Sequence, residues 1–273
     1  MIPPVVDRSF AEGGHADLVV ADVRFYLDGR SAREAFDRGH LPGAVFIDLA
    51  RWLSAEAGPE DGRHPLPTPE VFAEGLGRAG IGDRTTVVAY DDAGGVIASR
   101  LVWMLRAIGH DAALLDGGLT AWDGPLEGRE RVVAPATFTP VPWPADRLAT
   151  IDDATDPANL VVDARDAARF AGGPDPVDPR TGHIPGARSL PCRDHLGPDG
   201  RLRSVAELRD RLAAVGITPA TGPDVVSYCG SGVTACHNLL VMEHAGVGGG
   251  RLYPGSWSQY SHTDRPVATG DAP

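Results

Sequence analysis

Lysine is absent from this chain: every one of the 25 basic residues among its 273 is arginine. That excludes chemistry resting on a primary amine, such as a Schiff base, a pyridoxal anchor or a P-loop lysine. Basic charge is scarce altogether. Against 37 acidic residues it leaves a net charge of −12, so the basic face a nucleic-acid partner requires is not expected. Cysteine is nearly missing too, with three residues and none before Cys192. An odd number confined to the C-terminal third makes no disulfide framework and suits a reducing compartment. No stretch approaches the roughly 18 apolar residues of a membrane span. The opening M-I-P-P-V-V-D-R-S-F lacks a charged segment followed by an apolar one, so a cytoplasmic protein without a membrane partner is expected.

What is present is written twice. Leu18-Val-Val-Ala-Asp-Val-Arg24 is echoed by Leu160-Val-Val-Asp-Ala-Arg165, and Gly39-His-Leu-Pro-Gly-Ala44 returns as Gly182-His-Ile-Pro-Gly-Ala187. Thr85–Asp92 parallels Gly222–Cys229, and Asp116-Gly-Gly-Leu-Thr-Ala-Trp122 answers Pro254-Gly-Ser-Trp-Ser-Gln-Tyr260. Offsets of this size are too long for a solenoid repeat and fit a duplicated domain. Between the copies, Ala134 to Ala149 carries four prolines and no strand or helix period, which reads as a semi-rigid linker. Domains over 1–133 and 150–273, joined by a linker over 134–149, are expected. Within each copy, short apolar runs such as Leu160–Ala164 and Val225–Tyr228 alternate with helical patterns such as Val205–Val215. The fold class is therefore α/β: two tandem domains, each a doubly wound parallel sheet with helices on both faces.

The chemistry concentrates in Tyr228-Cys-Gly-Ser-Gly-Val-Thr-Ala235. Cys229 stands where a buried strand ends and a helix begins, the position at which open α/β sheets place their sites. Gly230 and Gly232 allow the loop to curl around the sulfur. Inward-pointing N–H groups near a helix N-terminus favour an anion there, a setting that lowers a thiol pKa and prepares a nucleophile. Cys236 falls on the following helix and reads as core, and Cys192, after Pro191 at a strand end, has no loop to activate it. The first copy carries Asp91-Asp-Ala-Gly-Gly-Val-Ile-Ala98 in the same place, with Asp91 or Asp92 at the cysteine position, and so performs no thiol chemistry.

Together these motifs resemble the tandem-domain rhodanese family, the thiosulfate and 3-mercaptopyruvate sulfurtransferases. The resemblance runs from about Leu18 to Tyr260 on the D-x-R strand end, the paired G-H-[IL]-P-G-A, the cysteine loop and the late G-S-W. It implies an inactive N-terminal copy, a persulfide-forming Cys229 in the C-terminal one, and no metal or organic cofactor. Family loops of the form C-G-[ST]-G-V-T accompany mercaptopyruvate as sulfur donor, and basic C-R-K-G-V-T loops accompany thiosulfate. The neutral loop here favours a monocarboxylate over a dianion, so 3-mercaptopyruvate is the expected small-molecule donor and thiosulfate the alternative. The partner that takes the sulfur is a thioredoxin-like or small thiol, or cyanide.

The resemblance also implies site residues. Gly230, Gly232, Val233 and Thr234 supply the loop around the sulfur, and Ser231 contacts the substrate carbonyl or assists proton transfer. Arg180, ahead of Gly182-His-Ile-Pro, is expected to grip the donor carboxylate with its planar fork. A second family arginine is replaced by Pro185, with Arg188 as its candidate substitute. Ser231 could join a relay with His40, oriented by Asp37 or Asp28, although His183 repeats that position and suggests a role in the fold. His64, in Asp61-Gly-Arg-His-Pro-Leu-Pro, is expected to line the substrate cleft. Two rivals remain. A tyrosine phosphatase would need an arginine six residues after the cysteine, where Ala235 stands, and so lacks its phosphate clamp. The other is a sulfur-carrier or regulatory module that docks a partner, and the intact cysteine loop argues against an inert scaffold.

Overall fold

The computed structural model describes residues 1–13, 17–58, 60–129 and 131–272. Two units emerge, each built on its own sheet. One comprises Met1–Ala55, Leu66–Trp143 and Leu196–Leu202; the other comprises Glu56–Pro65, Pro144–His195 and Arg203–Pro273.

Among the described residues the first unit holds five parallel strands: β1 (Val5–Val6), β2 (Leu18–Asp22), β3 (Val45–Phe46), β4 (Thr86–Tyr90) and β5 (Ala112–Leu115), in the order β1-β5-β4-β2-β3. The second holds β6 (Leu160–Asp163), β7 (Arg188–Ser189), β8 (Val225–Tyr228) and β9 (Arg251–Leu252), also parallel, in the order β7-β6-β8-β9. Val87, Val88, Ala89 and Tyr90 of β4 and all four residues of β8 are buried. A central strand covered on both faces needs such a continuous apolar run rather than an alternating one. Helix boundaries follow local chemistry. Thr68 caps Pro69–Arg78, its hydroxyl accepting from the Val71 N–H, with proline at the first helical position. Ser204 and Glu207 form a reciprocal capping box at the start of Val205–Ala214.

The repeated motifs hold equivalent places. In both units the strand-end aspartate grips the arginine two residues on: Asp22 with Arg24 and Asp163 with Arg165. That arginine donates to the carbonyl of Gly39 or Gly182. Tyr90 and Tyr228, closing β4 and β8, accept from the N–H of Leu41 and Ile184 through their hydroxyls.

The domain boundaries differ from the sequence-based division. Residues 56–65 group with the second unit and 196–202 with the first, because each short segment bonds to the unit it joins. Leu202 N–H donates to the Asp116 carboxylate at 2.8 Å, and Arg63 N–H donates to Ser258 Oγ at 2.9 Å. The proline-rich stretch expected to be a semi-rigid linker groups with the first unit as far as Trp143. Ala136 N–H bonds Gly77 O at 2.9 Å, and Phe138 is buried against Phe72 and His110. No described helix is long and apolar enough to cross a membrane.

Candidate active site

β8 ends at Tyr228, the helix Ala235–His244 begins six residues beyond Cys229, and the loop between closes on the Cys229 sulfur. Ser231 N–H and Gly232 N–H point at Sγ, with N···S distances of 3.4 and 3.1 Å. Of the donors expected between Gly230 and Thr234, these are the two whose bonds to the sulfur the geometry defines. Gly232 adopts φ +76°, and a Cβ there would lie 2.5 Å from the Pro254 carbonyl oxygen; the close approach of Pro254 is what requires glycine at this position. From below, Cys229 N–H donates to Ser256 Oγ at 3.2 Å, and Cys229 O accepts from Trp257 N–H at 2.9 Å. Ser256 takes a left-handed φ of 53° while its hydroxyl donates to Tyr253 O. Strain of this kind persists where surrounding bonds over-determine it. The G-S-W motif is thus the floor of the cysteine loop.

The first unit shows what the same loop does with an anion built in. Asp91, not Asp92, holds the cysteine position. Its Oδ1 accepts from the N–H of Ala93 and Gly95, and its Oδ2 from those of Ile97 and Ala98, all at 2.7–2.8 Å. Asp91 O accepts from Leu119 N–H, as Cys229 O does from Trp257. Burial raises the Asp91 pKa, and the four backbone donors oppose that rise. The duplicated loop is an anion cradle. In one copy it is filled by a carboxylate and in the other it surrounds a sulfur.

Beside the loop stand groups contributed by distant sequence. His64 Nδ1 lies 2.8 Å from Ser231 Oγ. The segment carrying it lies so close to the G-S-W turn that a Cβ on Gly62 would fall 2.4 Å from Gly255 O. A Cβ on Gly230 would lie 3.1 Å from Arg63 Nη2 and 3.6 Å from Arg169 Nη1. Both guanidiniums bond the same buried carboxylate: Arg63 Nη1 donates to one oxygen of Asp178, and Arg169 Nη2 to the other at 3.2 Å. Arg169 also holds Asp175 through Nε at 3.0 Å and Nη2 at 2.6 Å.

Several expected roles move. The Ser231 hydroxyl finds His64, whereas His40 is committed within the first unit. The His40 ring stacks on Phe36 at 3.8 Å, and its Nδ1 bonds Phe36 O at 2.8 Å. His183 repeats this on Phe170 at 3.7 Å and 2.8 Å, so the G-H motif ties a loop to its helix in both copies. Arg180 spends its fork on the backbone carbonyls of Thr263 and Arg265. Exposed Arg188 donates to Val215 O at 2.7 Å, satisfying the C-terminus of the helix Val205–Ala214. Val233 is buried, and Thr234 is the half-buried N-cap residue of the helix Ala235–His244.

Arg63 and Arg169 are the residues sequence reasoning missed. Neither lies in a repeated motif, and the signal that could have found them is the aspartate pair Asp175 and Asp178 between Phe170 and the G-H-I-P motif. The remaining thiols behave as packing groups. Burial, then the nearby charge of Cys229, pushes the Cys192 pKa up to about 12, and Cys236 Sγ donates to Gly232 O. Among the described residues no group of three His, Cys, Asp or Glu side chains is arranged to hold a metal ion.

Comparison with known proteins agrees with this geometry. The rhodanese-like domain family matches twice, over residues 10–124 and 145–263. The "Probable 3-mercaptopyruvate sulfurtransferase" of Pseudomonas aeruginosa is 42% identical over 269 residues, covering 93% of each protein. The human 3-mercaptopyruvate sulfurtransferase is 39% identical, over 91% of this chain and 86% of that one. The solved structure of the 3-mercaptopyruvate sulfurtransferase from Leishmania major superimposes with a TM-score of 0.85 at 33% identity, covering 96% of this chain and 75% of that one. The chain belongs to the rhodanese-like family and is a sulfurtransferase.

Proposed function

We propose that this sulfurtransferase takes its sulfur from 3-mercaptopyruvate and carries it as a Cys229 persulfide. The observation that supports the reading most is the pair of N–H groups aimed at the Cys229 sulfur beside the Ser231–His64 contact. The thiolate attacks the donor sulfur, forming an S–S bond. The donor C–S bond breaks, and its electron pair passes to the carbon that becomes the enolate of pyruvate. Ser231, bonded to His64, is placed to deliver the proton that completes pyruvate. The N–H groups of Ser231 and Gly232 stabilise negative charge on the Cys229 sulfur in a site largely closed to water. The donor carboxylate falls to Arg169 and Arg63 rather than to Arg180, since their guanidiniums stand over Gly230. A dithiol of the thioredoxin class, a small thiol or cyanide then removes the outer sulfur and restores the thiolate. A reducing, cytoplasmic setting suits a cycle through a free thiol.

The test is kcat/KM for 3-mercaptopyruvate and thiosulfate with a dithiol or cyanide acceptor, beside Cys229→Ser, with intact-mass analysis after donor alone. A preference for 3-mercaptopyruvate, loss of turnover in the variant and a mass gain of one sulfur on Cys229 are expected. Turnover surviving in Cys229→Ser would end the persulfide reading.

A further inference from the structure

The two arginines over Gly230 belong to a longer chain of alternating charge: Asp163–Arg165–Asp175–Arg169–Asp178–Arg63. Asp163 and Arg165 bond at 2.6 Å with side chains no more than 1% exposed, and Arg165 reaches Asp175 at 3.8 Å. Asp175 and Arg169 bond at 2.6 Å, and Asp178 joins Arg169 to Arg63. Three guanidiniums face three carboxylates, so the chain of pairs carries no net charge. Its far end nevertheless presents Arg63 Nη2 and Arg169 Nη1 where a side chain at residue 230 would begin. The Asp178 side chain is only 1% exposed, against 27% for Arg63 and 24% for Arg169. Its carboxylate is thus enclosed, while the two arginines that bond it reach solvent.

We propose that Asp178 is a specificity-determining, positioning residue: it splays Arg63 and Arg169 over Gly230 and cancels one of their charges, so that the site accepts a monoanionic sulfur donor in preference to a dianionic one. This rests on the sulfur-donor reading above. Two uncompensated arginines beside the loop would supply the cationic environment that a neutral Gly230-Ser231 withholds, and would stabilise a dianion about twice as strongly as a monoanion. With Asp178 in place, the guanidinium N–H groups keep their hydrogen-bonding capacity for one carboxylate while the net field is small. The sequence of the loop alone does not account for the neutrality of the site; the buried aspartate behind it is needed as well.

The test is Asp178→Asn in the full chain, with kcat/KM measured for thiosulfate and for 3-mercaptopyruvate at low and high ionic strength. One added charge about 8 Å from the donor, at an effective dielectric of about 40, raises the thiosulfate to 3-mercaptopyruvate ratio roughly fivefold. Added salt should shrink that gain. Arg63→Gln, which removes a cation and leaves Asp178 in place, should move the ratio the opposite way by a similar factor, and it decides the matter if Asp178→Asn does not fold. A merely structural aspartate would depress both donors together and leave the ratio unmoved, which overturns the proposal. So would a wild-type enzyme that prefers thiosulfate. Wild-type protein that turns over neither donor would instead sink the functional reading itself, and this inference with it.

Discussion

Gly232→Ala separates the architecture of the cysteine loop from its chemistry. Alanine would have to hold φ near +76°, which costs about 1–2 kcal/mol for a residue with a Cβ. The new carbon would also lie 2.5 Å from Pro254 O, an overlap with backbone rather than with a mobile side chain. Relieving it adds about 1–3 kcal/mol. The expected loss of stability is therefore about 2–5 kcal/mol unless the loop gives way. If it does, Gly232 N–H retreats from its 3.1 Å contact with Sγ. Removing one of two donors to a developing anion lowers turnover by about a hundredfold. Urea melts and steady-state kinetics on the same preparation read both effects. Gly230→Ala is the comparison, because its new Cβ would meet the far ends of two side chains, Arg63 at 3.1 Å and Arg169 at 3.6 Å; it should be nearly as stable as wild type and raise KM more than it lowers kcat. A Gly232→Ala protein with kcat/KM within threefold of wild type would refute the idea that this N–H group matters to the sulfur.

Other measurements follow from the same geometry. Ser231→Ala and His64→Gln should each lower kcat, with a double variant little worse than either single one; additive losses would show that the two do not act as a pair. Replacing Arg165 by Met leaves buried Asp163 uncompensated and should cost about 3–5 kcal/mol, with Arg24→Met costing a similar amount through Asp22; an exposed-pair effect below about 1 kcal/mol would contradict the burial. Burial holds the His195 pKa down to about 4 and that of His237 down to about 3, their rings 6.0 Å apart. The unfolded chain therefore binds protons below pH 6.5 that the folded one refuses. Stability should fall as pH drops from 6.5 towards 4, by roughly 1.4 kcal/mol per unit for each histidine. His237→Phe should flatten that slope in urea melts at several pH values, and an unchanged slope would place the acid sensitivity elsewhere.

Local pattern carried a large share of what is seen. The strand at Val225–Tyr228, the helix from Val205, the Asp163–Arg165 pair and Cys229 at a strand end all follow from residues within a few positions of one another. Backbone geometry and hydrogen-bond periodicity act at that range, and duplication let one copy check the other. The identity of the cysteine's stand-in could not be read in this way, because Asp91 and Asp92 are adjacent and only the four N–H groups converging on Asp91 distinguish them. Likewise His40 looked like the partner of Ser231 by motif, and its ring proved to be stacked on Phe36.

The sequence by itself determined the class of fold, the duplication, a cysteine at the strand end of the second copy and an aspartate in its place in the first. Only the tertiary structure decided which side chains surround the sulfur. His64 and Arg63 stand about 165 residues before the loop in the chain, and no periodicity links them to it. They are brought there by the approach of Gly62 to Gly255 and by the bond from Arg63 N–H to Ser258. Arg169 and Arg180 are equally plausible as sequence. What separates them is whether a guanidinium is spent on backbone carbonyls or held by a buried aspartate over the loop, and contacts between residues far apart in the chain settle that.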